Sequence, residues 1–79
     1  MTNEPNPTQP NPTMKGTLSA REFEVLELTA HGRNAREIAF VLGIEECTVR
    51  FHIKNILSKL KVRNCAAAVY LALKNGWIA

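Results

Sequence analysis

The stretch TVRFHIKNILSKL, residues 48–60, decides how the chain is read. At 100° per residue Val49, Ile53, Ile56 and Leu60 share one arc, while Arg50, Phe51, Lys54 and Ser58, with Cys47 and Lys61 at the ends, lie away from it. Thr48, Asn55 and Lys59 run along a flank, and His52 falls at the edge of the apolar arc. The pattern predicts a helix from about Glu46 to Leu60 that buries one stripe and presents a basic side. Phe51 is the misfit on that side. Either it meets a partner there, or it folds back into the helix interface, as aromatics readily do.

Working outward, each flank carries helix start and stop signals. Upstream, Gly43-Ile44-Glu45 forms a tight connection, preceded by a short helix with Asn34 as its cap, Glu37 three residues on, and an apolar face of Ile38, Ala39 and Leu42. Before that, Ser19 and Glu22 have the spacing of a capping box, Leu18 and Phe23 that of a hydrophobic staple, and Gly32 ends the helix they begin. Downstream, Asn64 caps a fourth helix that runs through Lys74 to Asn75-Gly76. Glu45, at the cap of the third helix, is a weaker capping residue, though acidic side chains suit the positive end of the helix dipole. No stretch alternates with period two, so the fold class is all-α: a four-helix bundle with no sheet.

Size and charge restrict what such a bundle does. With 79 residues there is one small core and no room for an enclosed catalytic cleft. Nucleophile and base pairs, phosphate loops and paired catalytic carboxylates are absent from the sequence, and an enzyme is not expected. Cys47, Cys65, His31 and His52 lack paired-ligand spacing, and on one helix Cys47 and His52 diverge by roughly 140°, so neither metal nor other cofactor is expected. No apolar run approaches the roughly 20 residues that span a bilayer, and the reading is a cytoplasmic protein without membrane contact. Residues 2–13, TNEPNPTQPNPT, hold all four prolines and no apolar side chain. Residues 1–16 are therefore expected to form a disordered tail or linker, with the folded domain over 17–79.

Net charge is only +3, but its placement is uneven. Residues 46–63 carry Arg50, Lys54, Lys59, Lys61 and Arg63 against Glu46 alone, whereas residues 19–45 carry more acids than bases. A short helix, a glycine-containing turn and a longer helix with a basic outer side is the sequence form of a helix-turn-helix. In that motif the second helix enters the DNA major groove, where Arg and Lys donate to guanine O6 and N7.

The run TVRFHIKNILSKL also resembles the recognition helix of LuxR-type (GerE-like) bacterial transcription regulators, with their T-V-x-x-H-x-x-N-I-x-x-K-L pattern. The likeness extends through LSAREFEVLELTAHGRNAREIAFVLGI before it and KVRNCAAAVYLALKNGWI after it, from Leu18 to Ile78. The TVxFH form further resembles the quorum-sensing branch. Glu45 departs from the serine often found at this cap, which puts one backbone-phosphate contact in doubt.

The resemblance implies that Arg50 and Lys54 reach base edges, and that Thr48, His52, Asn55 and Lys59 lie near phosphates or support that surface. Phe51, on the same side, can pack against a thymine methyl, and Lys61 adds to the attraction for phosphate. Lys54 serves a phosphate equally well, His52 can instead fix the helix against its neighbour, and Arg33 and Arg36 either approach the backbone or are solvated. The fourth helix, CAAAVYLAL, is apolar almost all round, which fits either a shallow dimer contact or a small tolerable patch of exposed alanine methyls; the resemblance favours a dimer contact, through Ala67, Tyr70, Leu71 and Lys74. Together these readings describe a nucleoid-associated transcription regulator. It is expected to be a monomer or weak homodimer in solution that pairs on double-stranded promoter DNA carrying two half-sites, with RNA polymerase or a full-length regulator as an expected further partner. The competing reading is a small helical protein that heterodimerises with such a regulator and sequesters it.

Overall fold

In the computed structural model, which describes residues 16–78, four helices follow one another: α1 (Ala20–Ala30), α2 (Ala35–Leu42), α3 (Glu46–Leu60) and α4 (Cys65–Lys74). There is no strand among the described residues, as the absence of period-two alternation predicts. The tail expected over residues 1–16 falls, but for Gly16, outside the described residues. Among those described, no helix is long and apolar enough to cross a membrane.

The helix starts are set by local chemistry. At α1 the Glu22 N–H donates to Ser19 Oγ (3.1 Å) and the Ser19 N–H to Glu22 Oε1 (2.9 Å), closing the capping box. Asn34 and Glu37 make the same exchange at α2, at 2.8 and 2.9 Å. Asn64 Oδ1 accepts from the Ala67 N–H at α4. Each such cap contributes about 1 kcal/mol by satisfying amides that have no partner inside the helix. Glu45, by contrast, makes no side-chain bond at the start of α3. Gly43 ends α2 with φ of 70°, a conformation glycine adopts without steric cost, and this lets the chain turn directly into α3.

The core is a single cluster fed by every helix. Val25 and Leu26 come from α1, Ile38 and Ala39 from α2, Val49, Ile56 and Leu60 from α3, and Ala68, Leu71 and Ala72 from α4. Beyond α4, Gly76 (φ 73°) turns the chain back so that Trp77 and Ile78 close the core. α3 packs on α1, α2 and α4. Its inner stripe is thereby fixed on three sides, which sets the direction in which its outer side faces.

Candidate nucleic-acid interface

Because Val49, Ile56 and Leu60 point inward and Ile53 packs half-buried against them, α3 has a determined outer face. Arg50, Phe51 and Lys54 are all exposed there, together with Cys47, Ser58 and Lys61. Phe51 is 60% exposed, so its ring does not fold back into the helix interface. It leans toward His52, with ring centroids 6.2 Å apart and planes tilted by 58°. Thr48 and Asn55 are half-buried at the flank. Lys61, just past the helix, holds φ at 59°, a left-handed turn uncommon for a residue with a β-carbon. Arg50 does not stand alone: its Nη2 donates to Glu46 Oε2, one turn earlier.

Two residues are engaged differently from the helical-wheel expectation. Lys59, placed near phosphates above, directs its Nζ onto Glu22 Oε1 at 2.7 Å. Glu22 is 4% exposed. A carboxylate that deep needs a cation, and the nearest one comes from α3. Burial pushes the Glu22 carboxyl up. The Lys59 ammonium, the Ser19 N–H and the His52 ring more than offset this and hold it below its ordinary value. Glu22 therefore joins two jobs that the sequence kept apart, the α1 cap and the anchor of α3. His52 belongs to the same junction: it is half-buried, and its Nδ1 is enclosed with no hydrogen-bond partner among the described residues. The alternative in which His52 fixes α3 against its neighbour is the one this surrounding favours.

The second corrected residue is Leu71. Expected on the outer side of α4, it is 7% exposed and part of the core, while Leu73 is 49% exposed. The inward stripe is Ala68, Leu71 and Ala72, spaced i, i+3, i+4. Against neighbours that are alanines, Leu71 is the side chain long enough to fill the space toward the helices α4 packs on. Ala66, Tyr70, Leu73 and Lys74 are exposed, and Ala67 is half-buried. The Lys74 Nζ stands 5.9 Å from the centre of the Tyr70 ring. A shallow concavity joins this face to α1, lined by Thr29, Cys65, Ala66, Val69, Tyr70 and Leu73.

The sequence reading passed over Phe40, which at 89% is the most exposed large apolar side chain described. It stands on the outside of α2 with Val41, beside Arg33, Arg36 and Glu37. The signal was available, since Phe40 lies roughly 160° from Ile38 on the wheel and cannot share its buried stripe.

Comparison with known proteins bears on the same residues. The family model described as "GerE: Bacterial regulatory proteins, luxR family" matches residues 16–72. The chain is 45% identical over 65 residues to the transcriptional activator protein CarR of Pectobacterium carotovorum subsp. carotovorum, covering 82% of this chain and 27% of CarR. It is 50% identical over 56 residues to the HTH-type quorum-sensing regulator RhlR of Pseudomonas aeruginosa, covering 70% and 23%. The chain thus spans less than a third of the length of these curated relatives. Among solved structures, that of the transcription factor GerE superimposes with a TM-score of 0.74 at 34% identity, covering 78% of this chain and 92% of that one.

Proposed function

Since the chain belongs to the luxR family of bacterial regulatory proteins and carries its DNA-binding transcription-regulator domain, we propose that α3 inserts its outer face into the major groove of promoter DNA. Residues 17–79 form the DNA-binding unit. Arg50 and Lys54 read base edges, Phe51 packs against a thymine methyl or the groove wall, and Thr48, Asn55 and Lys61 approach the backbone. Lys59 and His52 support α3 from behind. Two copies occupy two half-sites and pair weakly through α4, whose contact face centres on Tyr70 with Ala66 and Leu73, and with Ala67 and Lys74 at its edge. The likeness to RhlR supports the quorum-sensing branch. The observation that carries the reading is the exposure of Arg50, Phe51 and Lys54 together on the one side of α3 that no other helix covers.

Fluorescence anisotropy with duplexes selected from a random pool tests this directly. The logarithm of the affinity should fall linearly with log salt, because binding releases the counterions condensed on the phosphates, and a salt-independent response would remove the DNA reading. Arg50→Ala should lose preference for the selected duplex by about ten- to a hundredfold, the value of one good base contact. Uniform weakening on every duplex would make Arg50 a phosphate contact instead.

Phe51→Ala separates the two readings of the aromatic. With the ring exposed, the expected result is an affinity loss of about fivefold, or roughly 1 kcal/mol, with the melting temperature changed by no more than a few degrees. A lowered melting temperature with intact affinity would return Phe51 to a packing role.

A further inference from the structure

The Arg50 guanidinium is tethered. Glu46, the single acidic residue within 46–63, accepts from its Nη2 across one turn of α3. Glu four residues before Arg is the favourable order for such a pair. Both side chains are open to solvent, 67% for Arg50 and 42% for Glu46, so the pair does little for the fold. Its location is what distinguishes it. Glu46 is in the first turn of α3, the end from which a recognition helix contacts bases, on the side that is otherwise basic.

A carboxylate there has two consequences. It repels phosphate, which weakens attraction to every duplex irrespective of sequence. It also occupies one edge of the planar guanidinium fork, so the remaining N–H donors keep a fixed direction and less freedom is lost when they bind. An untethered arginine at this place would swing readily to a phosphate, a contact that carries no sequence information.

We propose that Glu46 is a specificity-determining positioning residue: it orients Arg50 toward a base edge and lowers the affinity of the helix for DNA of any other sequence. This rests on the reading of Arg50 as a base contact. The test compares the wild type with Glu46→Ala, Glu46→Gln, Arg50→Ala and the Glu46→Ala/Arg50→Ala double variant. The probes are the duplex selected by the wild type and the same duplex changed at the base pair where Arg50→Ala relaxes preference.

Both Glu46 variants should bind an unrelated duplex more tightly, with a salt slope steeper by about one, because a negative charge is gone. The preference ratio between the two probes should fall about tenfold in Glu46→Ala. It should fall less in Glu46→Gln, which keeps an acceptor for the guanidinium, and no further in the double variant than in Arg50→Ala. Equal tightening on both probes, with the ratio unchanged in Glu46→Ala, would reduce Glu46 to bulk charge and overturn the inference alone. If Arg50→Ala relaxes preference at no base pair, the base-reading role of Arg50 fails and this inference with it.

Discussion

Glu22→Ala is expected to lower the stability of the domain by about 2–3 kcal/mol, a large fraction of what so small a fold possesses. The substitution acts at two places. It removes the acceptor for the Ser19 N–H at the start of α1, and it takes from the Lys59 ammonium the carboxylate it pairs with. The upper range for breaking a buried pair does not apply, because the Lys59 side chain is 38% exposed and recovers some solvation. Thermal unfolding followed by circular dichroism should show a fall of about 10–20 °C. Glu22→Gln keeps an acceptor for the cap and should fall between.

The pH dependence has a definite sign. The folded carboxyl titrates below its ordinary value of 4.5, so the stabilisation from its ionised form is complete above pH 4.5 and disappears as pH falls through the lowered value. The difference in stability between wild type and Glu22→Gln should therefore be constant near neutrality and shrink below about pH 4.5. A difference that stayed unchanged into acid would mean that the Lys59 pair contributes nothing. Loss of this anchor frees α3 at its C-terminal half, so Glu22 variants should also weaken DNA binding without contacting DNA.

The second large effect lies on α4. Leu71→Glu should prevent folding, since it sets an unpaired charge in the apolar core cluster to which Leu71 belongs, at a cost above about 4 kcal/mol. Leu73→Glu, two residues further, should leave the melting temperature within a few degrees of wild type, because that side chain is already half in solvent. Under the pairing proposed for α4, it should abolish cooperative binding to a duplex with two half-sites while single half-site affinity persists. The pair of variants is diagnostic. A folded Leu71→Glu protein that merely failed to pair would return Leu71 to the contact face, and undiminished cooperativity in Leu73→Glu would move the contact elsewhere.

Those two results concern the features least legible in the sequence. Helix limits were readable because caps are local: Ser19 with Glu22, Asn34 with Glu37, and Asn64 each act within three residues. The buried stripe of α3 was readable because its apolar residues hold one period against a polar remainder. The Glu22–Lys59 pair joins residues 37 apart in sequence, and no window or wheel brings them together. In α4 the difficulty is different. When almost every residue is apolar, periodicity does not choose a face, and the neighbours' shapes decide that Leu71 turns in and Leu73 out. Phe40 and the Glu46–Arg50 spacing were both available to a wheel. A wheel shows that Phe40 leaves the buried stripe of α2 and that Glu46 lies one turn from Arg50, but not that the two side chains bond.

The distance between Glu22 and Lys59 also has a meaning in time. A ribosome adding about 5–20 residues per second makes the first of them roughly 2–7 s before the second. Until that interval ends, the cation that receives the Glu22 carboxylate in the folded domain does not exist, and Leu60, α4 and Trp77, which complete the core around Val25 and Leu26, are still to be made. The core can close only once the last part of the chain, with Lys59, Leu60, α4 and Trp77, has been made.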